Sequence, residues 1–182
     1  MMFDESNFWN INDNFKGMEL PDIQEAQVNM SLPYAVAVVN LNGDLNTGVI
    51  IRTAVLMGAR EVFVFGRRKF DKRSTVGAQN YIPVHKITAL LDDETPDYSK
   101  IFEDIISHGY TPVLVEQGGT KIRDYIWPEN PCIVLGNEST GFPVEIVSQW
   151  DTVTIPQRGV LRSLNVSTAA GIVMEHLSYS LS

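Results

Sequence analysis

Side chains able to do chemistry gather in three polar, glycine-bearing stretches of an otherwise apolar chain. The first runs from Asn40 to Asn46 and leads into a segment carrying Arg52. The second, Gly136-Asn137-Glu138-Ser139-Thr140-Gly141, places the Glu138 carboxylate between two glycines. The third begins at Ile155-Pro156, crosses Gln157-Arg158-Gly159 and delivers Ser163, Leu164 and Asn165 to a helix rich in small residues. Asn165 suits an N-cap, because its side-chain oxygen can accept an orphan amide of the first turn. Ala169, Ala170 and Gly171 would make that helix thin enough for another backbone to approach closely. Polar groups where a strand hands over to a helix suggest a site, although a plain connection accounts for this stretch alone equally well.

Several kinds of chemistry do not fit. The glycine-bracketed loop has P-loop spacing but runs into Phe142-Pro143 and lacks the Lys-Ser/Thr pair, so nucleoside-triphosphate cradling is excluded. No Gly-x-Gly-x-x-Gly opens the first helix, and no Gly-x-Ser-x-Gly elbow is present. His85, His108 and His176 are scattered without metal-ligand spacing, so no metal is expected and each reads as a surface or satisfied core residue. Cys132, the one cysteine, lies in the apolar run Cys132-Ile133-Val134-Leu135; it rules out an internal disulfide and reads as core rather than nucleophile.

The elements that must position these stretches alternate. Tyr34 to Val39, Glu61 to Phe65, Val84 to Ile87, Thr111 to Val115, Pro131 to Leu135 and Thr152 to Ile155 read as strands, several as buried parallel ones. Thr47 to Met57 and Tyr98 to His108 have helical spacing and are closed by Gly58 and Gly109. Gly118-Gly119 reads as a flexible turn, and Pro143 as the first residue of a short helix. The predicted class is therefore α/β, a mostly parallel sheet with flanking helices. Each polar stretch follows an apolar strand, and ligands of open α/β sheets bind at the carboxyl ends of strands, so one rim could carry all three.

Bulk properties bound the rest. A chain of 182 residues with 44% hydrophobic content is most simply one globular domain, preceded by an acidic arm over residues 1–33. That arm interleaves Phe3, Phe8, Trp9, Ile11 and Phe15 with acids, which predicts a short helix or a segment packing on the body. No apolar run reaches the ~18 residues of a membrane span, and the start is neither a signal nor a transit peptide, so a cytoplasmic protein is expected. The net charge of −8 argues against a general nucleic-acid binder. A local basic loop (Arg67, Arg68, Lys69, Lys72 and Arg73) still suits a phosphate-bearing partner, with a solvated loop as the plainer alternative.

The segments Asn46 to Ala54, Ile133 to Phe142 and Ile155 to Ser167 resemble, in order, the three signature motifs of the SpoU (TrmH-like) branch of the SPOUT RNA methyltransferases. The resemblance runs from about Tyr34 to the C-terminus, which makes residues 34–182 the methyltransferase domain. It implies methyl transfer from S-adenosylmethionine to a ribose 2′-hydroxyl of RNA, a homodimer, and a trefoil-knotted C-terminal half. Arg52 then matches the catalytic arginine. Its guanidinium is a poor base, so stabilising alkoxide charge or holding a phosphate suits it better. Glu138 would orient Arg52 or hydrogen-bond backbone near the cofactor; Asn46 would face the pocket, in its own subunit or across the dimer; Ser163 and Asn165 match the polar pair of the third motif. Leu135, Gly136, Asn137, Ile155, Pro156 and Leu164 would hold the cofactor, largely through backbone. Arg67, Arg68, Lys69, Lys72 and Arg73 would meet the RNA backbone, with Phe70 or Tyr81 able to stack on a base. Ser139 stands where the family has glycine. The N-terminal segment is short for a separate RNA-binding domain, which puts tRNA ahead of rRNA as substrate. A catalytically silent RNA-binding or assembly factor is the alternative, as is a methyltransferase acting on another acceptor.

Overall fold

The computed structural model describes residues 10–40, 45–67, 70–137 and 141–182. Along them the chain forms α1 (Leu20–Met30), β1 (Ala35–Val39), α2 (Leu45–Leu56), β2 (Glu61–Phe65), α3 (Lys72–Thr75), β3 (Val84–Ile87) and α4 (Tyr98–Ser107). β4 (Thr111–Lys121), β5 (Pro131–Leu135), α5 (Val144–Val147), β6 (Thr152–Thr154) and α6 (Val166–Leu181) follow. The strands make one six-stranded sheet in the order β3-β2-β1-β5-β4-β6, and all five pairings are parallel.

The apolar runs dictate a sheet covered on both faces. Side chains of a strand alternate between faces, so a run such as Ala35-Val36-Ala37-Val38-Val39, buried throughout, must feed two cores. Val36 and Val38 join Ile50, Ile51 and Ala54 of α2 and Ala170, Val173, Met174 and Leu177 of α6. Ala35, Ala37 and Val39 join Tyr98, Ile101, Phe102 and Ile105 of α4, with Phe142 and Trp150 at the margin. Burying Val173, Met174 and Leu177 contributes about 1.5–3 kcal/mol apiece. That apolar stripe, rather than local propensity, holds α6 in place.

Three details differ from the sequence reading. β4 does not stop at Gly118-Gly119 but continues to Lys121, with a register shift between Val115 and Thr120 where it pairs β6. The glycines serve close packing: a Cβ on Gly119 would lie 2.3 Å from the Thr152 carbonyl oxygen, and Gly118 has φ +83°. Pro143 is the N-cap of α5 rather than its first helical residue. The close approach expected at the small-residue helix is absent at Gly171, where a Cβ would meet only Thr53 Cγ2 at 3.9 Å. It occurs instead at Gly48 of α2, where a Cβ would fall 1.8 Å from Ser74 Oγ and 3.0 Å from the Asp71 carbonyl, so that glycine lets α3 press on α2.

Residues 122–130 return the chain from β4 to β5 on the α2/α6 side of the sheet, without a helix. The Ile122 amide donates to the Thr154 carbonyl (3.0 Å), the Tyr125 hydroxyl to Asp151 Oδ2 (2.8 Å), and the Trp127 ring meets His176 of α6. The N-terminal arm docks through α1: Gln24 donates to the Asn80 carbonyl, Gln27 to the Val55 carbonyl, and Ile23 is buried. No described helix is long and apolar enough to cross a membrane.

Candidate functional site

The middle of β4 and the carboxyl ends of β5 and β6 border a cleft of about 650 Å³. Leu135 and Gly136 form one wall, Thr154 and Ile155 another, and Ser163, Leu164 and Asn165 a third, at the entry to α6. Of the residues expected to hold a cofactor, Leu135, Gly136, Asn137, Ile155 and Leu164 line this space; Pro156 sits in the exposed turn between lining residues Ile155 and Gln157. Gly136 is closely packed, since a Cβ there would lie 3.0 Å from the Phe142 ring. Leu135 is buried and Leu164 is partly open at 38% exposure, so the cleft combines apolar side chains with backbone groups.

Asn165 is the N-cap of α6 and the hub of a small polar network. Its Oδ1 accepts from the backbone amides of Ser167 (2.9 Å) and Thr168 (3.4 Å) and from Ser167 Oγ (2.6 Å). Its Nδ2 donates to Asn46 Oδ1 at 3.1 Å, and Ser167 Oγ reaches the same oxygen at 3.3 Å. Two stretches separated by 119 residues therefore meet at the cleft mouth through amide side chains. Ser163 lines the cleft and is exposed.

Arg52 is placed differently. It does not line the cleft; it projects from the exposed side of α2, with Nη2 3.4 Å from Asn10 Oδ1. Leu45, Val49, Arg52 and Leu56 recur at i, i+4, i+7 and i+11, one stripe of a helix. The three apolar members are 60%, 41% and 71% exposed, so the guanidinium rises from an apolar band on the surface. Glu138, expected to orient Arg52, lies outside the described residues.

Of the basic loop, Arg68 and Lys69 lie outside the described residues. Arg67 pairs with Glu94, and Arg73 with Asp71, at 2.6 Å. Asp71 also caps α3, and the Arg73 side chain and amide hold its carboxyl below the usual carboxylate range. Lys72 is exposed. Phe70 is buried beneath Lys86 Nζ, 4.5 Å from its ring centroid, and so is a core anchor rather than a stacking platform. Tyr81 is half-buried.

The sequence reading missed Val115, Glu116, Gln117, Gln157, Arg162 and Ala169, which also line the cleft. Glu116 reaches across to the glycine loop, accepting from the Phe142 amide at 3.4 Å, and Gln117 Nε2 donates to the Arg162 carbonyl. The only available signal was position: both follow the apolar part of β4, as the other loops follow their strands.

The sequence profile of the SpoU rRNA Methylase family matches residues 33–175. The chain is 30% identical over 159 residues to the tRNA (guanosine(18)-2′-O)-methyltransferase TARBP1 of Mus musculus, covering 82% of this chain and 10% of that one. It spans about half the length of other curated relatives. The TrmH/SpoU tRNA modifying enzyme of A. aeolicus has the same fold, with a TM-score of 0.70 at 22% identity, over 88% of this chain and 81% of that one. The AdoMet-bound rRNA methyltransferase of Sinorhizobium meliloti superposes with a TM-score of 0.68 at 24% identity, over 86% of this chain and 60% of that one. With the motifs in order and the profile spanning most of the chain, this protein belongs to the SpoU rRNA methylase family.

Proposed function

We propose that the protein transfers a methyl group from S-adenosylmethionine to a ribose 2′-hydroxyl of RNA, with tRNA as the substrate. The observation that carries this reading is the cleft beside β4, β5 and β6, walled by the second and third motif stretches and tied to the first through the Asn46–Asn165 hydrogen bond. Its volume lies within the ~300–1,000 Å³ of small-molecule sites. Apolar side chains at Leu135, Ile155 and Leu164, with open backbone at Gly136, suit an adenosine and a methionine chain better than a multiply charged ligand. The cofactor supplies an electrophilic sulfonium methyl. The mouse relative, named as a tRNA 2′-O-methyltransferase, supports the ribose acceptor and the tRNA class.

In this reading, the Asn165–Asn46 pair rigidifies the cleft mouth, and Ser163 and Asn165 orient the acceptor ribose. Arg52 stabilises charge developing on the acceptor oxygen and grips the adjacent phosphate. Because Arg52 emerges from an apolar stripe away from the cleft of its own chain, we infer a homodimer packed on α2 and α6, in which Arg52 of one copy serves the cleft of the other. Ile172 and Tyr179 of α6, 38% and 82% exposed, would extend that surface. The trefoil-knotted path belongs to the same reading, supported by the 122–130 segment touching both β6 and α6. The basic loop would contribute Lys72 and, with Arg67 and Arg73 released from their acids, further phosphate contacts.

One observation favours the rival reading of a silent RNA-binding factor: Arg52 engages Asn10 rather than the cleft. Incubation with total tRNA and methyl-labelled S-adenosylmethionine separates the two. Digestion to nucleosides should yield ribose-methylated product, and Arg52→Ala should lower the rate by about 10²–10³. Label on bases only, or none on any RNA, would overturn the proposal.

A further inference from the structure

At the amino end of the sheet, away from the cleft, Glu61, His85 and His108 converge. Glu61 opens β2, His85 lies in β3 and His108 is the C-cap of α4. One side-chain ligand atom from each lies within 4.8 Å of the other two. Nothing in methyl transfer uses these groups.

We propose that Glu61, His85 and His108 bind one divalent transition-metal ion of the zinc class. Two imidazole nitrogens and a carboxylate oxygen are a donor set that such ions favour, with water completing four-coordination. A tetrahedral ion with ligand bonds of ~2.0–2.2 Å holds neighbouring donors roughly 3.4 Å apart, so side-chain rotations moving the donor atoms by up to about 1.5 Å complete the site. The support around the three donors is already built. His108 Nδ1 lies 2.8 Å from the Asp104 carbonyl, which fixes the proton on Nδ1 and leaves Nε2 for a metal. The Tyr110 hydroxyl donates to Glu61 Oε1 at 2.7 Å, orienting the carboxylate. The Phe63 ring stacks on His85 with centroids 4.9 Å apart and meets His108 edge-on at the same distance, setting both imidazole planes. Partners of this kind tune metal sites.

His85 Nε2 and Glu61 Oε2 lie 2.6 Å apart, a hydrogen-bond contact. The ion takes the place of the proton in that hydrogen bond, which leaves to solvent. A His–Glu pair alone needs no third partner; the converging, carbonyl-braced His108 is what the simpler arrangement leaves unexplained. An ion there would tie edge strand β3 and the end of α4 to β2, fastening the half of the sheet that α6 does not reach.

The test is a Co²⁺ titration of the 182-residue chain after chelation, read by visible absorption, with Zn²⁺ displacement and thermal unfolding in parallel. One equivalent should give the intense bands of four-coordinate cobalt, Zn²⁺ should abolish them, and Tm should rise with Zn²⁺. His108→Ala, an exposed position, should lose the bands with unchanged circular dichroism. Tyr110→Phe should weaken affinity about 10–100-fold. His176→Ala, outside the cluster, should bind as the parent does. Absence of stoichiometric binding, or binding indifferent to His108→Ala, would overturn the site.

Discussion

Arg52 and Cys132 are two single residues whose chemistry depends on where the fold puts them. Arg52 stands in an apolar surface band, so its charge has apolar neighbours along the helix yet is solvated in one chain. Cys132 is wholly buried in β5, and burial pushes its thiol well above the ordinary range. The thiolate is the reactive form. Iodoacetamide at neutral pH should therefore leave native protein unlabelled and modify Cys132 only after denaturation, as mass spectrometry would show; rapid native labelling would mean β5 opens. The sequence already marked this cysteine as core, because its neighbours Ile133, Val134 and Leu135 leave no polar flank. It could not reveal the approach of His85 to His108, which are 23 positions apart in sequence and meet only because β3 and the end of α4 converge on Phe63.

At the scale of elements, caps and glycines decide which surfaces meet. Asn165 caps α6 and also holds Asn46, so Asn165→Ala removes both a helix cap and a link between two motifs. Loss of about 1 kcal/mol is expected from the cap. Chemical denaturation should report that loss, while a fall in activity much larger than the stability change would mark the role in the cleft. Gly119→Ala tests a different joint. With backbone 2.3 Å from the added carbon, β6 must retreat from β4 at a cost of about 1–3 kcal/mol; a neutral substitution would mean the pairing yields easily. The strands themselves were legible as β-branched runs, and α2 and α4 as periodic segments ended by glycine. The continuation of β4 was not, because a Gly-Gly pair signals a turn locally and close packing only when the partner strand is known. The cleft's third wall could be read from the Ser163–Asn165 pair, whereas Glu116 and Gln117 look like ordinary strand-end polar residues until β6 stands beside them.

The whole molecule raises the question of whether one chain makes a complete site. If Arg52 serves a neighbouring copy, Arg52→Ala and Asn165→Ala should complement each other. Mixed in equal amounts and allowed to exchange subunits, two nearly inactive proteins should regain about a quarter of the parent activity, since half the dimers are mixed and each holds one intact site. If Arg52 acts within its own chain, mixing restores nothing, because no cleft then holds both residues. Light scattering of the same mixtures would report whether the copies associate at all.

The cleft draws its described walls from 115–117, 135–137 with Gly141, and residues between 154 and 169, all in the last two fifths of the chain. During synthesis, β1, α2 and β2 emerge together and can pair locally, whereas no wall of the cleft exists until β4 has been made. The final wall must wait for α6, whose Val173, Met174 and Leu177 have to find the sheet face beside α2 across more than a hundred intervening residues. Contacts so distant in sequence are slow to form. The order of manufacture thus imposes an order of competence: the ribosome releases a framework first and a ligand-binding protein last, and a chain cut short before α6 would keep strands but have no completed binding cleft.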